Sequence, residues 1–215
     1  MIKLDLHTHS IASADGSIDA ADYINAIETK MIDIVAITDH NRIDFAVSVQ
    51  KRQPNNIIVG EEIMTVDGEI IGLFLTKLVD PGMSLDQTIA AIHVQGGLCY
   101  IPHPLERLRN GLSWLNLNKI IDKIDIVEIG NGRALNKRNY RKLVNWAKAN
   151  RIRTASSSDA HGRKGLGKTH TILATMTNDP KSLLQNLESS VPVITYPGLI
   201  ELLYPKYNRI RNRRR

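Results

Sequence analysis

The sequence predicts an α/β protein in which strands and helices alternate, either wrapped into a barrel or laid out as an open sheet. Three observations predict it. Short apolar runs of four or five residues recur along the chain, as strands covered on both faces require. Amphipathic stretches separate them, as βα units with short links would. Five of the seven histidines follow apolar runs directly, and in α/β barrels the C-terminal ends of the strands open on one common face.

Each element has a local reason. Ile2 to Leu6 is the first strand candidate, and Ala20 to Lys30 the first helix, with Ala20, Ile24 and Ile27 on one stripe. Asp19 suits its N-cap, and Asp22 places a carboxylate in the first turn, where the helix dipole favours it. Ile34 to Thr38, Ile57 to Val59 and Ile70 to Thr76 read as further strands. Leu85 to Gln95 is the next helix, with Ser84 and Gln87 in capping-box spacing. The apolar run Leu98 to Ile101 is a strand carrying the single cysteine, Cys99, as a small buried hydrophobe with no base beside it in sequence. Leu115 to Lys123 (helix), Ile126 to Ile129 (strand), Leu135 to Asn150 (helix), Arg153 to Ser156 and Thr171 to Ala174 (strands) and Lys181 to Ser189 (helix) complete the pattern. No Pro/Gly/Ser-rich linker divides the chain, so residues 1–205 read as one domain and 206–215 as a flexible basic tail.

Composition excludes several classes. Of 215 residues, 42% are hydrophobic and 23% charged, enough for a core and without a disorder signature. One cysteine rules out a disulfide-stapled scaffold. The opening MIKLDLHTHS lacks the apolar region of a signal peptide and no run has membrane-spanning length, so a soluble, cytoplasmic protein is expected. The net charge of +6 is localised: the last ten residues, KYNRIRNRRR, hold six bases and no acid, so residues 1–205 are neutral. Between Glu128 and Asp159 there are eight bases, among them Arg133, Lys137, Arg138 and Arg141, and no acid. This segregation suits either an anionic partner or a solvated helix face.

The polar residues after the strands carry the chemistry. The segments are Leu6-His7-Thr8-His9, Thr38-Asp39-His40, Pro102-His103-Pro104 and Ser158-Asp159-Ala160-His161, with Glu61 and Glu62 following the Ile57 strand. Residues two apart on extended chain project to one side, which pairs His7 with His9 and Asp159 with His161. Singly, each motif is as easily a turn or a cap. Together they would gather imidazoles and carboxylates that are costly to desolvate without a cation, and the N/O donor set suits Zn, Mn or Fe. His93 and His170 fall within elements and read as structural or exposed. Gly165-Leu166-Gly167-Lys168-Thr169 lacks the earlier glycine a phosphate loop needs.

At these residues the chain resembles the polymerase and histidinol phosphatase (PHP) superfamily of metal-dependent phosphoesterases. The motifs Asp5-Leu6-His7-Thr8-His9-Ser10, Thr38-Asp39-His40, Gly60-Glu61-Glu62, Pro102-His103-Pro104 and Ser158-Asp159-Ala160-His161 occur in the family's order. The resemblance implies a distorted seven-stranded (β/α) TIM-like barrel with two or three divalent metals (Mn, Zn or Fe) at the C-terminal ends of its strands. It implies that His7, His9 and Asp159 hold a first metal, bridged by Glu62 to a second on His103, and that Asp15, His40 and His161 hold a third. Gly60 sets the register that selects Glu62 over Glu61. Asp39 would orient an imidazole from outside, and Glu128 would help to shape the pocket. Many members carry another histidine in the strand after the glutamate; here Glu69-Ile70-Ile71-Gly72-Leu73-Phe74-Leu75 has none.

The implied activity is hydrolysis of a phosphate ester of a small molecule or nucleotide by a metal-activated hydroxide. His40 and His161 are the candidates for a catalytic role beside the metals, and Arg107, Arg109, Arg133 and Arg163 for holding the substrate phosphate. A nuclease or other nucleic-acid-processing phosphodiesterase using the basic segment and tail is the alternative, although aromatics are only 5% and disfavour a stacking platform. A non-catalytic metal-binding module would require the motif set to be vestigial. A membrane partner is not expected.

Overall fold

The computed structural model describes residues 1–134 and 139–212 of the chain. The first residues of the expected Leu135 helix, with Lys137 and Arg138, lie outside the described residues, as do 213–215.

Nine strands form one sheet: β1 (Ile2–Asp5), β2 (Ile34–Ile37), β3 (Ile57–Thr65), β4 (Gly68–Leu73), β5 (Leu98–Ile101), β6 (Ile126–Asn131), β7 (Arg153–Ser157), β8 (His170–Leu173) and β9 (Val191–Val193). Their order is β7-β6-β5-β4-β3-β2-β1-β8-β9. The helices are α1 (Ala20–Glu28), α2 (Asp44–Gln50), α3 (Leu85–His93), α4 (Trp114–Lys119), α5 (Tyr140–Ala149), α6 (Pro180–Leu187) and α7 (Leu199–Asn212). The sheet curls into a nearly closed barrel. Past the strand ends the first and seventh strands meet: the N–H of Asp159 donates to the carbonyl of His7, and that of His9 to the carbonyl of Ala160, both at 2.9 Å. The barrel that the family resemblance implies, one of the two arrangements the strand–helix alternation allowed, is therefore the observed fold.

Side-chain alternation divides the apolar residues in two. One cluster lines the interior, with Leu4, Ile34, Ala36, Ile58, Ile71, Tyr100 and Ile126. Leu183 and Leu187 of α6 join it at the N-terminal ends of the strands, where Arg153 Nε donates to the Leu184 carbonyl at 3.0 Å. The other cluster lies between strands and outer helices and includes Val35, Ile57, Ile63, Ile89 and the buried Cys99. One end of the barrel is thus sealed with hydrocarbon, and the polar residues collect at the other.

The helix signals act as expected: Asp19 with Asp22 and Ser84 with Gln87 each form a reciprocal capping box. Four features depart from expectation. The third strand does not stop at Val59; it continues to Thr65 because residues 60–65 pair antiparallel with β4, so Glu61 and Glu62 lie inside a strand and not after one. That hairpin replaces a βα unit and makes β4 run against its neighbours. The short α2, which has no side-chain cap, and β9, which carries Pro192, gave no clear pattern. Residues 206–212, expected as part of a tail, continue the helix that begins at Leu199. Among the described residues no helix is long and apolar enough to cross a membrane.

The hairpin has a strict requirement at Gly68. Its φ is +134°, and a Cβ there would meet the carbonyl oxygen of Asn110 at 2.5 Å.

Glu61 is the cost of alternation in this strand. It faces outward into the apolar layer, where one carboxylate oxygen accepts from Val79 N–H at 3.0 Å and the other has no partner among the described residues. Burial pushes its pKa up from 4.5 to about 7, against the Val79 hydrogen bond and helped by Asp80. A carboxyl whose folded value exceeds its unfolded one binds its proton more tightly in the native state, so stability falls as pH rises through that interval. Glu61→Gln removes this loss. Its Tm is expected to match wild type near about pH 5 and to exceed it by a few degrees near about pH 8. Thermal melts at both pH values check it; an equal gap at both contradicts it.

Candidate metal centre

The mouth of the barrel is built by what each strand does as it ends. After β1 the chain stays extended, with Thr8 bridged to Ala160 and its carbonyl accepting from Thr38 N–H at 2.9 Å. Thr8 faces away from the mouth, bonding Tyr23 (2.9 Å) and the Ala36 carbonyl (2.7 Å), so its neighbours His7 and His9 both face in. Their Nε2 atoms stand 3.1 Å apart. After β5 and β7 the backbone turns through the left-handed region, at His103 (φ +28°) and Asp159 (φ +50°). This conformation is uncommon for residues other than glycine and is held here at two residues that face the cluster.

Glu62 is the centre. One carboxylate oxygen lies 3.4 Å from His7 Nε2 and 3.0 Å from His103 Nε2; the other lies 3.2 Å from both His9 Nε2 and His40 Nδ1. Asp159 Oδ1 lies 3.7 Å from His7 and 3.5 Å from His9. Asp15, carried on the loop between β1 and α1, reaches 3.6 Å from His40 and 3.7 Å from His161. His9 stacks on both His40 and His161, with centroids 4.5 and 4.2 Å apart. All eight residues the motifs select therefore converge.

The two acids expected outside the cluster lie behind it. Glu128 is 3.4 Å from His7 Nδ1 and accepts from Tyr100 OH (2.9 Å), Asn131 Nδ2 (2.9 Å) and the backbone N–H of His103 (2.5 Å). Asp39 reaches an imidazole only through Ser13: it accepts from the Ser13 hydroxyl at 2.6 Å, and that oxygen lies 3.4 Å from His9 Nδ1. Such partners fix ring orientation and leave the opposite nitrogen directed inward.

Burial favours neutral forms throughout, and neighbouring charges overcome it at His9 and Glu62 but not at His161. Burial lowers the His9 pKa, but Asp159 and Glu62 outweigh it and hold it at about 9. For His161 burial dominates, reinforced by the His9 charge, and the value falls to about 4. Glu62 is held well below the carboxylate range, because His7 and His40 overcome its burial.

Four groups of donor atoms, each within 4.8 Å of one another, are formed: His9, Asp15, His40 and His161; His7, Glu62 and His103; His7, His9 and Asp159; His40, Glu62 and Glu69. They share His7, His9, His40 and Glu62, so they describe adjoining positions in one string. Asp15 Oδ1 is buried without a hydrogen-bond partner among the described residues. Nitrogen and oxygen donors at this spacing, with an orphaned carboxylate oxygen among them, fit divalent transition metals.

The cluster floors a cleft of about 490 Å³ whose walls include Arg109, Arg133, Lys206 and Arg209. Arg109 forms a close pair with Asp159 and donates to Asn131 at 2.9 Å; Arg133 Nη1 is 3.4 Å from Asp159. Arg107 is exposed on the 3-10 turn Arg107–Arg109 and borders the neighbouring cavity of about 580 Å³. Arg163 is not brought to the mouth. The turn closed by Gly165 N–H on the Gly162 carbonyl carries it away, to a pocket beside Asp22 and Asn25. His93 pairs with Asp125 and His170 with the Gly167 carbonyl, both elsewhere.

The sequence reading missed three contributions. Glu69 enters the cluster, and Asn131 bridges Glu128, Asp159 and Arg109. From α7, Asn208 donates to the carbonyls of Asp15 (2.8 Å) and His161 (3.0 Å), while Arg209 Nη2 donates to Asp15 Oδ2 at 2.7 Å. The basic composition of this segment was visible; its position was not.

The profile of the PHP domain family matches residues 5–165. An uncharacterized protein of Methanocaldococcus jannaschii is 36% identical over 144 residues, 60% of this chain and 82% of that protein. A two-domain protein from Bacteroides vulgatus, containing a predicted PHP-like metal-dependent phosphoesterase, superposes with TM-score 0.73 at 16% identity over 97% of this chain and 69% of its own. A lesion-specific endonuclease from Pyrococcus furiosus superposes with TM-score 0.60 at 14% identity over 89% of this chain and 57% of its own. At these identities the two structures share the fold.

A ligand that binds only the native state stabilises it by about 4 kcal/mol at a thousandfold excess over its Kd. Manganese added to chelator-treated protein is accordingly expected to raise Tm by roughly 10 °C, reversibly on adding EDTA. Differential scanning fluorimetry checks this, and an unchanged Tm with no bound metal by elemental analysis contradicts it.

Proposed function

The chain belongs to the PHP domain family, and from that premise we propose that it is a metal-dependent phosphoesterase hydrolysing a phosphate ester of a small molecule or nucleotide. The observation that carries the reading is Glu62, one carboxylate shared by four imidazoles at the floor of an Arg-lined cleft. His7, His9 and Asp159 would hold one cation, Glu62 and His103 a second, and Asp15, His40 and His161 a third, with manganese, zinc or iron suited to the donors. Such cations, when bound, neutralise phosphoryl oxygens and acidify water.

The chain's own residues do the rest. Arg109 and Arg133 both face Asp159, which fixes them at one wall of the cleft. Arg133 Nε is buried and without a partner among the described residues, a donor with capacity for an incoming anion. A phosphate entering between these guanidiniums would be held by forked N–H donors against the floor. His40 is the most accessible imidazole of the cluster, its side chain 29% exposed, so of the two candidates it is the better placed to face substrate, where a cation it holds would stabilise a leaving alkoxide. His161, buried and biased to the neutral form, suits a ligand role. Cys99 is buried in the apolar layer between strands and outer helices and takes no part in the chemistry.

A second reading, a nuclease, is favoured by one observation: α7 sets Lys206 and Arg209 on the cleft wall, where a polyanion would run. The endonuclease of similar fold supports the same reading.

His7→Ala/His9→Ala is expected to lower turnover of phosphate esters at least about a thousandfold while far-UV circular dichroism stays native; retained turnover sinks the assignment. Arg133→Ala is expected to raise KM about tenfold or more, the worth of a charge-assisted hydrogen bond, with a smaller change in kcat. For the two substrate classes, Lys206→Ala, which leaves the Arg209–Asp15 contact intact, discriminates. It should flatten the salt dependence of oligonucleotide binding if the substrate is a polyanion, and leave phosphomonoester KM nearly unchanged otherwise.

A further inference from the structure

One acidic side chain enters the cluster from a strand whose motifs did not point to it. We propose that Glu69 is a metal ligand in this chain, completing with Glu62 and His103 the second cation position, on the β3–β4 side of the mouth. The inference rests on the metal-dependent reading above and specifies one of its sites.

The topology delivers Glu69 there. Had β4 run parallel to β3, its second residue would lie at the sealed end of the barrel. The two-residue turn Val66-Asp67 reverses the chain, so β4 begins at the mouth. Glu69 pairs directly with Met64, two residues beyond Glu62, which puts Glu62 and Glu69 on the same, inward face. Its backbone is held: Glu69 N–H donates to the Asn110 carbonyl at 3.0 Å, and Gly68 before it admits no side chain.

The distances are those of co-ligands. Glu69 Oε1 lies 3.9 Å from His40 Nδ1, and Oε2 lies 3.8 Å from His103 Nε2. Both exceed hydrogen-bond length, whereas donors each about 2.1 Å from a shared cation stand roughly 3–4 Å apart. Glu69 is only 5% exposed and shares its small volume with the carboxylate of Glu62. Two carboxylates so placed repel unless a positive charge lies between them. The four imidazoles around Glu62 leave Glu69 at the edge, beyond direct contact. The strand after Glu62 contains no histidine. A carboxylate here gives the position an anionic oxygen donor where an imidazole would be neutral, which moves its preference from zinc toward manganese.

The test uses the full chain, stripped of metal and titrated with Mn²⁺ by isothermal calorimetry, with bound metal counted by elemental analysis after dialysis. Glu69→Gln is expected to lose one equivalent, or to bind it at least tenfold more weakly, with the remaining equivalents unaltered. Glu69→His is expected to restore that equivalent with Zn²⁺ and less so with Mn²⁺, which separates ligation from mere packing. Wild-type stoichiometry and affinity in Glu69→Gln overturn the proposal while leaving the metal-dependent reading intact. A wild-type chain that takes up no Mn²⁺ overturns both.

Discussion

Glu62 imposes the condition that organises the mouth of this barrel. A buried carboxylate is costly to desolvate, and four imidazole nitrogens within 3.0–3.4 Å compensate it. Those imidazoles come from the ends of three strands, so the strands must end at one level and turn inward there. The parallel pairing of His40 with Glu62, the bridge between Thr8 and Ala160, and the left-handed turns at His103 and Asp159 all serve that alignment. Behind the rings, Glu128 on His7 and the Asp39–Ser13 pair on His9 limit how far the imidazoles can rotate. Compensation and orientation are therefore one network.

Much of this was legible in the sequence because it depends on period and order. Continuous apolar runs marked the strands, capping residues marked α1 and α3, and the i, i+2 spacing of His7 and His9 survives in any extended chain. What was not legible depends on chain reversal and on partners distant in sequence. The extension of β3 to Thr65 exists because β4 pairs with it; Asp67-Gly68 between two apolar runs is the local hairpin signal, but pairing across it decides how far the strand runs. Glu69 was hidden by the same reversal. The sequence placed Arg163 near the site from its proximity to His161, but one tight turn sends it elsewhere. Residues 206–212 looked like a solvated appendage because their composition is basic and holds no acid.

That last segment alters how the net charge is understood. A neutral body with a positive end suggests two independent parts. In the fold, α7 packs Tyr204 against Gly162, where an added Cβ would lie 2.6 Å from the ring, and sets Asn208 and Arg209 on the loop and turn that carry Asp15 and His161. Lys206 and Arg209 therefore wall the concavity that holds Asp15, Glu62, Glu69 and Asp159. Field lines from the cluster end on the same helix that walls the cleft, which gives an approaching anion a cationic rim and an already structured floor.

The β3–β4 hairpin has an evolutionary consequence. Because β4 runs backwards, the residue it offers to the mouth is set by how many positions separate it from the turn. Sliding another side chain into that place would take a two-residue shift of β4, which would break its register with both β3 and β5. The donor offered there is therefore exchanged by substitution at position 69 and not by lengthening the exposed turn, so that the hydrocarbon interior stays as it was.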